Sequence, residues 1–114
     1  MTTITVYRDQ AGLLCGYQLS GHAEGRRSGE YDLLCSALSA LAYTGVNALE
    51  AVAGLIPDTQ VEDGYLYCSV PVGQETSQTV QTVLQTVLTG LTEIANNHPK
   101  HVRINNKERR KDHA

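Results

Sequence analysis

The chain has 114 residues, 41% hydrophobic and 18% charged, with a net charge of −3 at neutral pH. Those values fit a single folded domain with one core and exclude a disordered or membrane-embedded composition. Phe and Trp are absent, so the core has to be assembled from Leu, Val, Ile, Ala and a few Tyr rings.

Residues 3–8 alternate in the manner of a half-buried strand, starting directly after Met1 with no basic segment or apolar signal core. Asp9-Gln10-Ala11-Gly12 has turn chemistry. Leu13, Cys15, Tyr17 and Leu19 then share one face of a second strand, and the two strands make a hairpin. Residues Gly21 to Tyr31 hold Gly21, Gly25 and Gly29 and the adjacent Arg26 and Arg27. They have no apolar face and are expected to form a mobile loop.

From Asp32 the period changes to that of a helix. Leu34, Leu38, Leu41, Ala48, Leu49 and Val52 line one side as far as about Ala53, with Gly54 as the stop signal. Ala37, Ala40 and Ala42 widen the apolar surface, so this helix is expected to be covered on two sides. Asp63-Gly64 joins two further strands as a tight hairpin. Residues 75–97 carry Val80, Val83, Leu84, Val87, Leu88, Leu91 and Ile94 at helical spacing, and Asn97 and Pro99 end that helix. Val102-Arg103-Ile104 adds a short last strand. The expected fold is α+β: a two-layer sandwich, ββαββαβ, with two helices on one face of a mainly antiparallel sheet. The domain is expected to span residues 1–104, followed by a basic tail over 105–114.

Charge is unevenly placed. Residues 1–98 carry three Arg against ten acids, and residues 99–114 carry six Lys and Arg against two. The basic end could touch nucleic acid or a ribosome surface, or be a solvated terminus. No apolar run approaches the roughly 20 residues of a bilayer span. Cys15, Cys35 and Cys68 form no CxxC pair, which argues against a disulfide framework or a structural zinc site. Together these features predict a cytosolic protein with three free thiols.

Two of the chain's groups can work as a pair. With Asp32 as N-cap, Cys35 falls in the first turn, where free amides and the helix dipole favour a thiolate. His22 closes the second strand, and the loop after it can bring its imidazole beside the thiol. Such a pair supplies a nucleophile and a proton donor for a leaving amine. Asp32 could orient His22 or only cap the helix, and Ser39 lies one turn beyond Cys35 on the same face. The competing reading makes Cys35 a small buried hydrophobe, as Cys15 and Cys68 are expected to be. His98 and His101 show no metal-ligand spacing with His22. The glycines of the loop lack the Lys-Ser or Lys-Thr pair of a phosphate cradle. No metal or cofactor is expected.

Gly21-His22-Ala23, the run Asp32-Leu33-Leu34-Cys35-Ser36-Ala37 with Ser39, and Asn47 resemble the signature of the bacterial ribosomal-processing cysteine proteases, the Prp family. The element order and the ending Pro99-Lys100-His101-Val102-Arg103-Ile104 are similar too, so the likeness runs from about Ile4 to Ile104. The resemblance implies a cytosolic, homodimeric endopeptidase that removes the N-terminal extension of the large-subunit ribosomal protein numbered twenty-seven. It implies Cys35 as nucleophile, His22 as general base and acid, and Asp32 and Ser39 in support. Gly25, Arg26, Arg27 and Gly29 would then lie in a substrate-covering loop. Arg26, Arg27 and the tail match no family pattern. The alternative is a non-catalytic ribosome- or RNA-associated module using the basic tail; a thiol redox protein lacks a resolving cysteine near Cys35.

Overall fold

A computed structural model describes residues 1–21 and 29–109, with side chains of the first helix described from residue 33 onward. Strands β1 (Thr2–Arg8) and β2 (Leu14–Ser20) form the first hairpin, followed by helix α1 (Gly29–Ala51). Strands β3 (Asp58–Glu62) and β4 (Tyr65–Ser69) form the second hairpin. Helix α2 (Gln78–Asn97) follows a short 3-10 turn over Gln74–Thr76, and β5 (Val102–Glu108) completes the sheet. The strand order is β3-β4-β2-β1-β5. Three of the pairings are antiparallel, and β5 lies parallel to β1. This is the α+β arrangement expected from the periodicities, with the sheet mixed at one edge.

The register explains which residues are inside. Ile4 faces Leu19 and Val6 faces Tyr17 across the β1–β2 pair, while Leu19 meets Leu66 and Tyr17 meets Cys68 across β2–β4. These six side chains share one face of the sheet because side chains alternate along a strand. They join Leu38, Ala42 and Leu49 of α1 and Val80, Leu84, Val87 and Leu91 of α2 in one buried cluster. Ser77 caps α2, its hydroxyl accepting from the Val80 amide at 3.2 Å.

Tyr17 fastens α1 to the sheet. Its hydroxyl donates to the Ala42 carbonyl at 2.7 Å. Gly45 makes the space for it: a Cβ there would lie 2.1 Å from the Tyr17 oxygen. Burial first, then the neighbouring Cys68 sulfur, hold the Tyr17 phenol far above its ordinary pKa, with the Val46 amide acting the other way.

Three expectations are corrected. Helix α1 begins at Gly29 rather than after Asp32, so Gly29-Glu30-Tyr31 belong to the helix and not to the preceding loop. Asp is favoured both as a cap and inside the first turn, where it meets the dipole's positive end, and the sequence does not separate the two. Secondly, residues 105–108 are strand, not tail. They pair with Thr5 to Arg8, and Arg109 is buried, donating to the Val70 carbonyl and to Glu75 Oε1. Thirdly, Leu33–Ala51 is 19 residues long and apolar enough to cross a bilayer by length and composition. Its five Leu and five Ala produce that property, and its Leu34, Leu38, Ala42 and Leu49 face is part of the core.

Candidate active site

A pocket of about 210 Å³ opens where the start of α1 meets the end of β2 and the β3–β4 turn. Cys35, Leu38, Ser39 and Ala42 line it from α1, Leu19 from β2 with Gly21 just beyond it, and Val61 to Leu66 from the second hairpin. Cys35 and Ser39 share this wall because residues four apart stack on one helix face. The placement of Ser39 one turn beyond Cys35 on the same face is what the helix produces. The wall made by Glu62, Asp63 and Gly64 was not apparent from the sequence, where Asp63-Gly64 signals only a turn.

Gly21 has a specific reason to be glycine. Its φ is +117°, and a Cβ would lie 2.2 Å from the Met1 carbonyl oxygen. Its amide donates to the Gly64 carbonyl at 2.9 Å. One residue therefore ties the end of β2 to the chain start and to the β3–β4 turn, and it forms part of the pocket. It is the residue that precedes His22. His22 itself, with Gly25, Arg26 and Arg27, lies outside the described residues.

Starting α1 at Gly29 moves Cys35 away from the positive end of the helix. Asp32 is the fourth residue of the helix and not its cap, and Cys35 is the seventh. The unbonded amides of a helix are its first four, and the dipole's influence fades within the first turn. Cys35 therefore gains less from the helix end than the sequence implied. The polar rim of the pocket on the hairpin side carries Glu62 and Asp63, both exposed.

The three thiols differ in access. Cys15 and Cys68 are fully buried, and Cys35 is half-buried in the pocket wall. Burial pushes the Cys15 thiol up to about 11, with Glu75 and Asp9 adding to the rise and Arg109 opposing it. Burial pushes Cys68 up to about 12, opposed by the Tyr17 hydroxyl. Neither is a nucleophile near neutral pH, because the thiolate is the reactive form. Iodoacetamide at about pH 8 should add one group to the native chain, at Cys35. Intact-mass analysis with peptide mapping checks this, and a first adduct on Cys15 or Cys68 would contradict it. Because both buried thiols are raised in the fold, their contribution to stability is full below the ordinary thiol value. It falls as pH climbs toward 11 and 12.

A thiol accessible from a walled pocket, on a helix packed over a mixed sheet, defines a small α+β thiol enzyme. The family model described as cysteine protease Prp matches residues 1–103, and the chain belongs to that family: it is a cysteine protease. It is 26% identical over 108 residues to the ribosomal processing cysteine protease Prp of Bacillus subtilis, covering 91% of this chain and 96% of that protein. Among solved structures, a protein of Streptococcus mutans, SMU.848, superposes with a TM-score of 0.85 at 29% identity, covering 96% of both chains. The essential ribosomal processing protease Prp of Staphylococcus aureus, crystallised in complex with a substrate peptide, gives 0.82 at 26% identity. That match covers 94% of this chain and all of the other. The same protease with a covalently linked product peptide gives 0.81 at 27% identity, with the same coverage.

Proposed function

We propose that this protease removes an N-terminal extension from a ribosomal protein, the large-subunit protein numbered twenty-seven, through an acyl-enzyme on Cys35. The observation that supports this reading most is the placement of Cys35, the accessible thiol of the three, in the same pocket as Gly21, the neighbour of His22. In the proposed cycle His22 takes the Cys35 proton, and the thiolate sulfur attacks the scissile carbonyl carbon. The resulting tetrahedral oxyanion collapses, the C–N bond breaks, and the imidazolium gives its proton to the departing amine. Water, deprotonated by His22, then attacks the thioester; the carboxylate leaves and the thiol is restored. With Cys35 set back from the helix end, stabilisation of the thiolate rests mainly on the imidazolium. Ser39 is assigned a supporting hydrogen bond, Asp32 a supporting role, and residues around Gly25, Arg26 and Arg27 the covering of bound peptide.

The rim acids Glu62 and Asp63 suit a basic ribosomal-protein segment by attraction. The names of the Bacillus subtilis and Staphylococcus aureus relatives, both ribosomal processing proteases, give the ribosomal assignment its support. The decisive measurement is mass spectrometry of the candidate ribosomal protein with and without this chain. The expected result is loss of a short N-terminal peptide only when the chain is present; an unchanged N-terminus overturns the substrate assignment.

We further assign the chain a reducing, cytosolic location, consistent with three free thiols, and a homodimeric state. The outward side of α1 supports the dimer. Leu33 is 73% exposed, and Ala37, Ala40, Thr44 and Ala51, all exposed, continue that side at helical spacing. An Ala40→Glu substitution there should convert the chain to monomer at micromolar concentration, as read by light scattering. A parent chain already monomeric would refute the assignment.

A further inference from the structure

The sheet has a second face that no described element covers. Both helices pack on the side of Ile4 and Tyr17, which leaves Thr3, Thr5 and Tyr7 of β1 and Gln18 and Ser20 of β2 on the other. Tyr65 and Tyr67 of β4 lie level with Ser20 and Gln18 on that side, and Arg103 and Lys107 of β5 lie level with Thr3 and Tyr7. The rings of Tyr7 and Tyr67 stand edge-to-face with centroids 5.9 Å apart. Tyr7 and Tyr65 both donate to Gln18 Oε1, at 3.3 and 3.1 Å. That shared acceptor fixes the Gln18 amide, whose nitrogen makes no hydrogen bond among the described residues.

The face is polarised across the strands. Arg103 and Lys107 are exposed on β5, whereas Asp58 and Glu62 are exposed on β3 at the opposite edge. Aromatic rings on central strands, a fixed amide beside them and cations along one edge form a stacking platform with a phosphate track. A peptide of basic composition would be drawn to the other edge.

We propose that this open face binds single-stranded nucleic acid, with bases stacked on Tyr7 and Tyr67. The Gln18 amide donates to a base edge, and Arg103 and Lys107 hold phosphates. Tyr65 borders both this face and the pocket of Cys35, whereas Tyr7, Gln18, Tyr67, Arg103 and Lys107 do not line that pocket, and the proposal holds whether or not the ribosomal substrate is correct.

The test uses the full chain, labelled oligouridylate and oligothymidylate of about ten nucleotides, and fluorescence anisotropy at about 50 mM salt. With six Tyr and no Trp, intrinsic emission reports stacking directly and should be quenched on binding. Affinity should fall steeply with salt for either strand, and a duplex of the same length should bind more weakly. Tyr67→Ala should weaken binding roughly tenfold, in line with base–aromatic stacking energies, while Tyr67→Phe retains it. Lys107→Glu, on the exposed edge, should weaken binding and lower the salt dependence without disturbing the fold. Peptide cleavage should be unchanged in Lys107→Glu. Absence of salt-sensitive binding by the parent chain overturns the proposal. So does binding that withstands both Tyr67→Ala and Lys107→Glu, or that is lost only when residues 110–114 are removed.

Discussion

Cys35→Ala should fold as the parent does and lose peptide cleavage by a factor on the order of 10⁶, the cost of removing a catalytic nucleophile in a well-studied hydrolase. The position explains both halves of that expectation. Cys35 lies in the interior of α1 and is only half-buried, and Ala is the strongest helix former, so the fold should shift by no more than about 0.5 kcal/mol. Chemistry has no replacement, because Cys15 and Cys68 are sealed in the core and held protonated. Cys35→Ser should also fail. A hydroxyl stays protonated where a thiol can give its proton to an imidazole, and a site built for sulfur does not supply the stronger base. His22→Ala should cost a comparable factor, and combining it with Cys35→Ala should add little, since groups acting as one unit are not additive. Single-turnover cleavage of an extended peptide, followed by mass spectrometry, measures all four variants. Cleavage by Cys35→Ala within tenfold of the parent would remove Cys35 from the mechanism.

The parts of the fold that sequence reveals are those in which burial is periodic. Ile4 and Val6 alternate with half-buried neighbours, and Val80, Val83, Leu84, Val87 and Leu91 recur at helical spacing; both sets are buried as the pattern requires. The start of α1 was hidden because Gly29-Glu30-Tyr31 contribute no apolar stripe. The second half of β5 was hidden for a different reason. Asn105-Asn106-Lys107-Glu108 is polar on both faces, and it is strand because its backbone pairs with β1, an edge interaction that leaves no mark on side-chain pattern. Arg109 is held by Glu75 at 3.3 Å across 34 positions of sequence, a contact that only the assembled sheet creates.

The site divides along the same line. Cys35 and Ser39 were legible as a pair because their spacing is local to one helix. The pocket's other walls come from β2 and the second hairpin, and their meeting depends on β4 pairing with β2. The distance of Cys35 from the helix dipole's positive end turns on one boundary residue, which is the least secure feature of any helix read from sequence.

Gly21→Ala should be the most damaging single-methyl change near the site. Two costs combine: positive φ disfavours any residue with a Cβ by roughly 1–2 kcal/mol. The added carbon would also meet the Met1 carbonyl oxygen at 2.2 Å, and overlap of that kind typically costs about 1–3 kcal/mol. Backbone on both sides has to move, because the opposing atom is not the end of a flexible side chain. A fall of about 2–5 kcal/mol, read as a lower denaturant midpoint, follows from adding those ranges. Gly12→Ala provides the control: its φ is +89°, yet its Cβ would meet nothing within 4 Å, so only the conformational cost of about 1–2 kcal/mol remains. The two variants should part further in activity. Gly21 joins β2 to the Gly64 turn at 2.9 Å and precedes His22, so a shift of about 1 Å there should lower kcat/KM roughly 100-fold at temperatures where the variant is still folded. Gly12, in the turn at the far end of β2, should leave kcat/KM unchanged. Equal kcat/KM for the folded Gly21→Ala chain and its parent would show that this strand end does not position the catalytic apparatus.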